Sequence, residues 1–134
     1  MDRKAIIERI LDHAERPRGK AKLDDPDLVQ AGGNPGCGDV IIWMAHLDAE
    51  GRIRDVGWVG QGCNLSQAGA SMLSSRLEGL SLDEILELPA DLLIEEIGPQ
   101  MALTRPACSS LALNTIKTAV YRYKQEREKA ARET

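Results

Sequence analysis

The feature that most constrains how this chain can fold is a change of hydrophobic period at Gly60-Gln61-Gly62. Before it, Val40 to Leu47 is almost continuously apolar, and Ile53 to Val59 is a second run of strand length. Asp48-Ala49-Glu50-Gly51 joins them, with Gly51 placed for a positive-φ turn position, so the pair predicts an antiparallel hairpin. A short candidate at Leu28–Ala31 pairs beside it, giving a small three-stranded sheet. After Gly62 the pattern is helical: Leu65, Ala68, Gly69, Met72, Leu73 and Leu77 mark one face until Gly79 stops it.

Helical periodicity also opens the chain. Ile6, Ile7, Ile10, Leu11 and Ala14 lie on one stripe from Asp2 to Glu15, with Asp2 as N-cap, and Arg16-Pro17-Arg18-Gly19 ends the helix. Ser81-Leu82-Asp83-Glu84 has the layout of a capping box for a helix to Leu88, and Asp91–Ile97 is a further turn or two. Thr104 or Arg105 caps a long final helix with Pro106 in its first turn. Its stripe runs through Cys108, Ala112, Ile116, Ala119, Val120 and Tyr123, and its charged tail from Lys124 is solvated and prone to fray. The reading is a sheet packed against about five helices, in one domain spanning residues 1–134.

Composition narrows the function. The formal net charge is −4, and the two Trp and two Tyr do not interleave with a basic stripe, so nucleic acid is not an expected partner. No apolar run reaches the length of a membrane span and the N-terminus does not read as a signal peptide, so the expected compartment is the cytoplasm and no membrane is expected. With no Phe at all, the core must be aliphatic. Three cysteines cannot all pair within the chain, and thiols or thiolates are the expected state.

Each cysteine sits at an element boundary rather than inside an apolar run. Cys37 is flanked by glycines in Asn34-Pro35-Gly36-Cys37-Gly38-Asp39, Cys63 opens the second helix, and Cys108 lies in the first turn of the last with Arg105 three residues before it. Helix N-termini and a guanidinium both lower a thiol pKa, so Cys63 and Cys108 both favour the thiolate, with Arg105 the candidate stabiliser of Cys108. Any one of the three is as readily a small buried hydrophobe; all three at such positions are not. Asp39, two residues beyond Cys37, either bonds local backbone in a turn or joins the thiols as a fourth ligand. Three thiolates and a carboxylate suit tetrahedral zinc or an incompletely cysteinyl iron–sulfur cluster, and the residues leave both open.

His13 and His46 share no motif with the cysteines and read as packing or surface residues. Ser66, Ser71, Ser74 and Ser75 suggest close helix packing or capping, without a nucleophile elbow. Asp91, Glu95 and Glu96 read as a solvated helix face, and Trp43 and Trp58 as core or interface residues on facing strands.

Taken in order, Asp12-His13, Pro17-Arg18, Asn34-Pro35-Gly36-Cys37-Gly38-Asp39, Gly62-Cys63-Asn64-Leu65-Ser66, Ser81-Leu82-Asp83-Glu84, Arg105-Pro106-Ala107-Cys108 and Tyr123-Lys124 resemble the iron–sulfur cluster assembly scaffolds of the IscU, SufU and NifU N-terminal type. The resemblance implies an α+β fold with Cys37, Asp39, Cys63 and Cys108 meeting at one exposed end, where they bind metal or a transient cluster of [2Fe-2S] type. It implies a cysteine desulfurase as sulfur source, an iron donor, and apo iron–sulfur proteins as acceptors; zinc often occupies the same ligands. The chain then is a binding and transfer protein and not a turnover enzyme. Two departures bear on partners. Ala107 stands where IscU-type members have His, and Gly98-Pro99-Gln100-Met101 replaces the Leu-Pro-Pro-Val-Lys segment that an Hsp70-type chaperone reads, so that chaperone is not an expected partner. Arg105 looks like SufU, but the insertion SufU proteins carry between the second and third cysteines is absent. The competing expectation is a zinc-dependent sulfurtransferase of SufU type; a purely structural zinc module fits least, because no C-x-x-C pair is present.

Overall fold

A computed structural model describes residues 2–34 and 38–133. Three strands, β1 (Leu28–Asn34), β2 (Asp39–Leu47) and β3 (Ile53–Gln61), form one antiparallel sheet in the order β1-β2-β3. The hairpin register sets Trp43 directly opposite Trp58 and Ile42 opposite Val59. Asp48 builds the connecting turn, accepting from the backbone N–H groups of Glu50 and Arg52, and Gly51 takes φ +80° there. β1 runs three residues beyond its predicted end, through Gly32 and Gly33. Those glycines weaken the strand signal in the sequence, yet Gly32 is needed: a Cβ there would lie 2.0 Å from Thr115 Oγ1 on the last helix.

Among the described residues there are six helices, α1 (Arg3–Glu15), α2 (Asn64–Ser74), α3 (Leu82–Leu86), α4 (Leu92–Ile97), α5 (Pro99–Ala102) and α6 (Pro106–Glu133), of which α6 and α2 pack on the sheet. Asp2 caps α1 by accepting from the Ala5 N–H at 2.7 Å, and Ser81 and Glu84 make the reciprocal bonds of a capping box on α3. α2 stops at Ser74, short of Gly79, because the chain beyond it pairs with the start of β3: Ile53 N–H donates to Leu80 O and Gly79 N–H to Ile53 O. α6 continues through its charged tail to Glu133, with Lys124 half-buried and paired with Asp83 and residues 125–132 exposed. Alternate strand residues Ile41, Trp43 and Ala45 turn inward onto α2 and α6, where Leu73, Leu113, Ile116 and Val120 complete an aliphatic core around the two tryptophans.

Segment 16–27 wraps the free edge of β3, where the Trp58 N–H donates to Gly19 O at 3.0 Å, and crosses the outer face of the sheet to β1. Leu23 lies on Gly57, where a Cβ would come within 2.8 Å of its Cγ, so that glycine lets the crossing segment close down. Glu96 departs from the solvated reading: it is largely buried and pairs with both Arg9 and Arg76, which ties α4 to α1 and to the turn that follows α2, while Asp91 and Glu95 stay exposed.

Candidate metal centre

One end of the sheet meets the N-termini of α2 and α6, and three of the four expected ligands meet there. Asp39 is the first residue of β2, Cys63 is the N-cap of α2, and Cys108 lies in the first turn of α6. One ligand atom from each, two sulfurs and a carboxylate oxygen, lies within 4.8 Å of the others. Donors around a tetrahedral zinc stand about 3.7 Å apart, given bonds of about 2.3 Å, so these side chains have only to close by about an ångström. Cys37 falls outside the described residues.

Local chain geometry explains the arrangement. Cys63 makes no side-chain cap bond to its own helix; instead Asp39 Oδ1 accepts the Cys63 N–H at 2.8 Å, so β2 supplies the cap of α2. Gly62 makes room for it. With φ +145°, a Cβ on Gly62 would lie 2.1 Å from that same oxygen. Asp39 Oδ2 faces the thiols, 3.8 Å from Cys63 Sγ. Ser66 completes the turn, donating to Cys63 O at 3.0 Å and standing 3.9 Å from Cys63 Sγ.

Asp39 is buried, with 1% of its surface exposed. That burial pushes its pKa up, but hydrogen bonds from the Cys108 thiol, the Cys63 N–H and thiol, and Ser66 outweigh it and hold the carboxyl below its usual value. The Cys63 thiol is also lowered. Burial raises it, and the Ser66 N–H, the Cys108 thiol, the Ser66 hydroxyl and the Leu65 N–H at the start of α2 more than compensate. Cys63 is partly exposed, whereas Cys108 lies at 1% exposure beneath it, and Arg105 is exposed at the start of α6. The cluster is therefore an ionisable, soft donor set that opens to solvent on the Cys63 side.

Gly62 and Ser66, which flank Cys63 in Gly62-Cys63-Asn64-Leu65-Ser66, build the site in roles that the sequence does not spell out. Cys63-x-x-Ser66, which spaces an N-cap from the third helical residue, is the one local signal for Ser66; nothing local announces that Gly62 must clear a carboxylate. The histidines stand elsewhere: His13 bonds Ser71, and His46 bonds Asp55 and the Asp24 carbonyl.

An antiparallel sheet backed by helices, with thiols and a carboxylate gathered where two helix N-termini meet its end, defines a small α+β protein with a candidate metal centre. Residues 6–130 match the NifU-like N-terminal domain family, and the chain belongs to that family. It is 34% identical over 127 residues to the iron-sulfur cluster assembly scaffold protein IscU of Escherichia coli K12, covering 92% of this chain and 98% of that one. Against the IscU scaffold of Streptococcus pyogenes serotype M1 it is 35% identical over 131 residues, 84% of this chain and 80% of the relative. Among solved structures, the NifU-like N-terminal protein of Brucella abortus superposes with a TM-score of 0.72 at 20% identity, over 88% of this chain and 93% of that one. A SufU-type protein of the SUF system from Fervidobacterium islandicum AW-1 gives 0.71 at 23% identity, over 89% and 99%; these two likenesses establish the shared fold. Among the described residues no helix is long and apolar enough to cross a membrane.

Proposed function

We propose that this chain is a cytoplasmic scaffold on which iron–sulfur clusters are assembled and from which they are handed to acceptor proteins. The observation that carries the reading is the convergence of Asp39, Cys63 and Cys108 donor atoms within 4.8 Å at one end of the molecule. IscU relatives that share about a third of its residues, named as assembly scaffolds, support it. Cys37 is the fourth ligand in this reading, placed two residues from Asp39 by the sequence. A cysteine desulfurase supplies persulfide sulfur, an iron donor supplies iron, and the transient cluster, of [2Fe-2S] type, is cargo and not a resident cofactor. Zinc takes the same ligands in protein isolated in air, because two or three thiolates with a carboxylate match its tetrahedral preference.

Anaerobic incubation with a cysteine desulfurase, cysteine, ferrous iron and dithiothreitol tests the reading. Cluster absorption in the visible, with displacement of the roughly one zinc per chain expected on isolation, is the scaffold outcome. Persulfide on the protein with zinc retained and no cluster is the outcome for a zinc-dependent sulfurtransferase, the second reading, which the same donor set also fits. Cys108 is the proposed resting place of the incoming sulfur, assisted by the α6 N-terminus and Arg105. Mass spectrometry after one desulfurase turnover locates the persulfide. Label confined to Cys63, the more exposed thiol, or to Cys37 would sink that assignment.

A further inference from the structure

Segment 16–22 reads Arg16-Pro17-Arg18-Gly19-Lys20-Ala21-Lys22, four cations at alternate positions in a chain whose formal net charge is −4. The segment is held down by its backbone. Trp58 donates its N–H to Gly19 O and its indole N–H to Arg18 O at 2.9 Å, and the Arg18 N–H donates to Ser71 Oγ at 2.8 Å. Between the cations the backbone packs closely on the domain: Gly19 lies by Ser74, where a Cβ would come to 2.7 Å of Oγ, and the Ala21 carbonyl lies on Gly57. All four cationic residues are exposed. A single carboxylate, Asp12, serves both Arg16 at 3.1 Å and Arg18 at 2.7 Å, which leaves the strip with excess positive charge.

The strip comes nearest the thiol site at Lys20. Its Nζ donates to Gln67 Oε1 at 3.0 Å, and the Gln67 N–H donates to Cys63 O, so this cation reaches to one helical turn from Cys63. Cys63 is the more exposed of the two described thiols, so a protein bringing sulfur to the site approaches along this side.

We propose that the basic strip is a docking surface for an acidic surface patch on the protein that delivers sulfur, an inference that rests on the scaffold function proposed above. Charges fixed on a pinned backbone cost little to order on binding and steer an oppositely charged partner into register. A nucleic acid suits the strip less well. It spans roughly 20 Å even if fully extended, and no exposed aromatic stands along it for a base to stack on.

The test compares the unmodified protein with the double variants Lys20→Glu/Lys22→Glu and Lys20→Gln/Lys22→Gln. None of these positions lies among the proposed ligands, and circular dichroism and zinc content check that each variant folds. Sulfur transfer from the cysteine desulfurase of the same organism is measured against scaffold concentration. Charge reversal should raise the KM for the scaffold about tenfold at low salt, neutralisation should raise it less, and kcat should stay within about twofold. Added NaCl should bring the unmodified KM up toward that of the reversed variant. An unchanged KM with normal transfer overturns the docking surface and leaves the scaffold reading intact. So does a defect confined to hand-off to an apo-ferredoxin, which would assign the strip to an acceptor. Retention on oligo-dT or on phosphatidylglycerol vesicles near physiological salt, lost on charge reversal, overturns it in favour of nucleic acid or membrane. If the unmodified protein takes up neither a cluster from sulfide and ferric iron nor sulfur from the desulfurase, the scaffold reading fails and the docking surface with it.

Discussion

The two oxygens of Asp39 face different groups, Oδ1 the Cys63 N–H and Oδ2 the thiols, so substitutions there separate two roles. A carboxylate oxygen is harder than a thiolate and is the weaker match to cluster iron, which makes it the ligand expected to let go first. Asp39→Ala should therefore slow transfer to an apo-ferredoxin more than it slows assembly, followed as loss of scaffold absorption and gain of ferredoxin absorption. Asp39→Asn keeps an oxygen for the Cys63 N–H but offers the site a neutral amide. A transfer defect shared by both variants belongs to the ligand role; one confined to Ala belongs to the cap of α2. Failure of Asp39→Ala to assemble any cluster, or transfer at the unmodified rate, would refute the labile-ligand idea. At this scale the sequence is informative where chemistry is local. Cys63, Cys108 and Asp39 stand out by residue type and by their place at element ends, whereas Gly62 matters through a contact with a strand more than twenty residues earlier, which no window of sequence displays.

Elements show the same division between local and distant causes. α1, the hairpin and the start of α3 follow from caps, turn chemistry and period, and each appears where those signals put it. The end of α2 does not, because Gly79 and Leu80 leave the helix to pair with Ile53, and α5 is a single turn inside a segment with no periodic signal. Glu96 is the clearest case. Its neighbours Asp91 and Glu95 face water, but its own side chain, 11% exposed, reaches Arg9 at 3.0 Å and Arg76. Arg9 also donates to the Glu96 carbonyl, so one residue fastens α4 both to α1 and to the turn after α2. Removing the carboxylate strands two guanidinium groups, each exposed enough to be rehydrated, so Glu96→Ala should cost about 1–2 kcal/mol. Urea unfolding at neutral pH measures it. A change below about 0.3 kcal/mol would mean that the pair is no better than an ordinary surface contact.

Across the whole molecule, two histidines join segments far apart in sequence and respond to pH in opposite senses. His46 Nδ1 meets Asp55 Oδ1 and Nε2 meets the Asp24 carbonyl, both at 2.7 Å. Since both partners only accept, the doubly protonated ring satisfies them best, and it clips segment 16–27 to the sheet. The Asp24 carbonyl first, and then Asp55, raise its pKa above the ordinary 6.5, against partial burial and Arg54. His13 bonds Ser71 between α1 and α2, and burial first, then the Arg18 and Arg9 charges, lower its pKa below the same value. The signs follow from which state binds the proton more tightly. The His46 contribution is complete below pH 6.5 and is lost as pH rises through its raised folded value. That of His13 is complete above pH 6.5 and is lost as pH falls through its lowered folded value. Stability measured by urea unfolding, with chelator present so that metal release does not add its own protons, should fall on both sides of the range near 6.5 on account of these two rings. His46→Gln should flatten the alkaline limb alone and His13→Gln the acid limb alone. Taking each variant minus the unmodified protein at every pH cancels the thiols and carboxylates common to both. If that difference for His46→Gln does not change with pH above 6.5, the ring is not held as the cation that its two acceptors require.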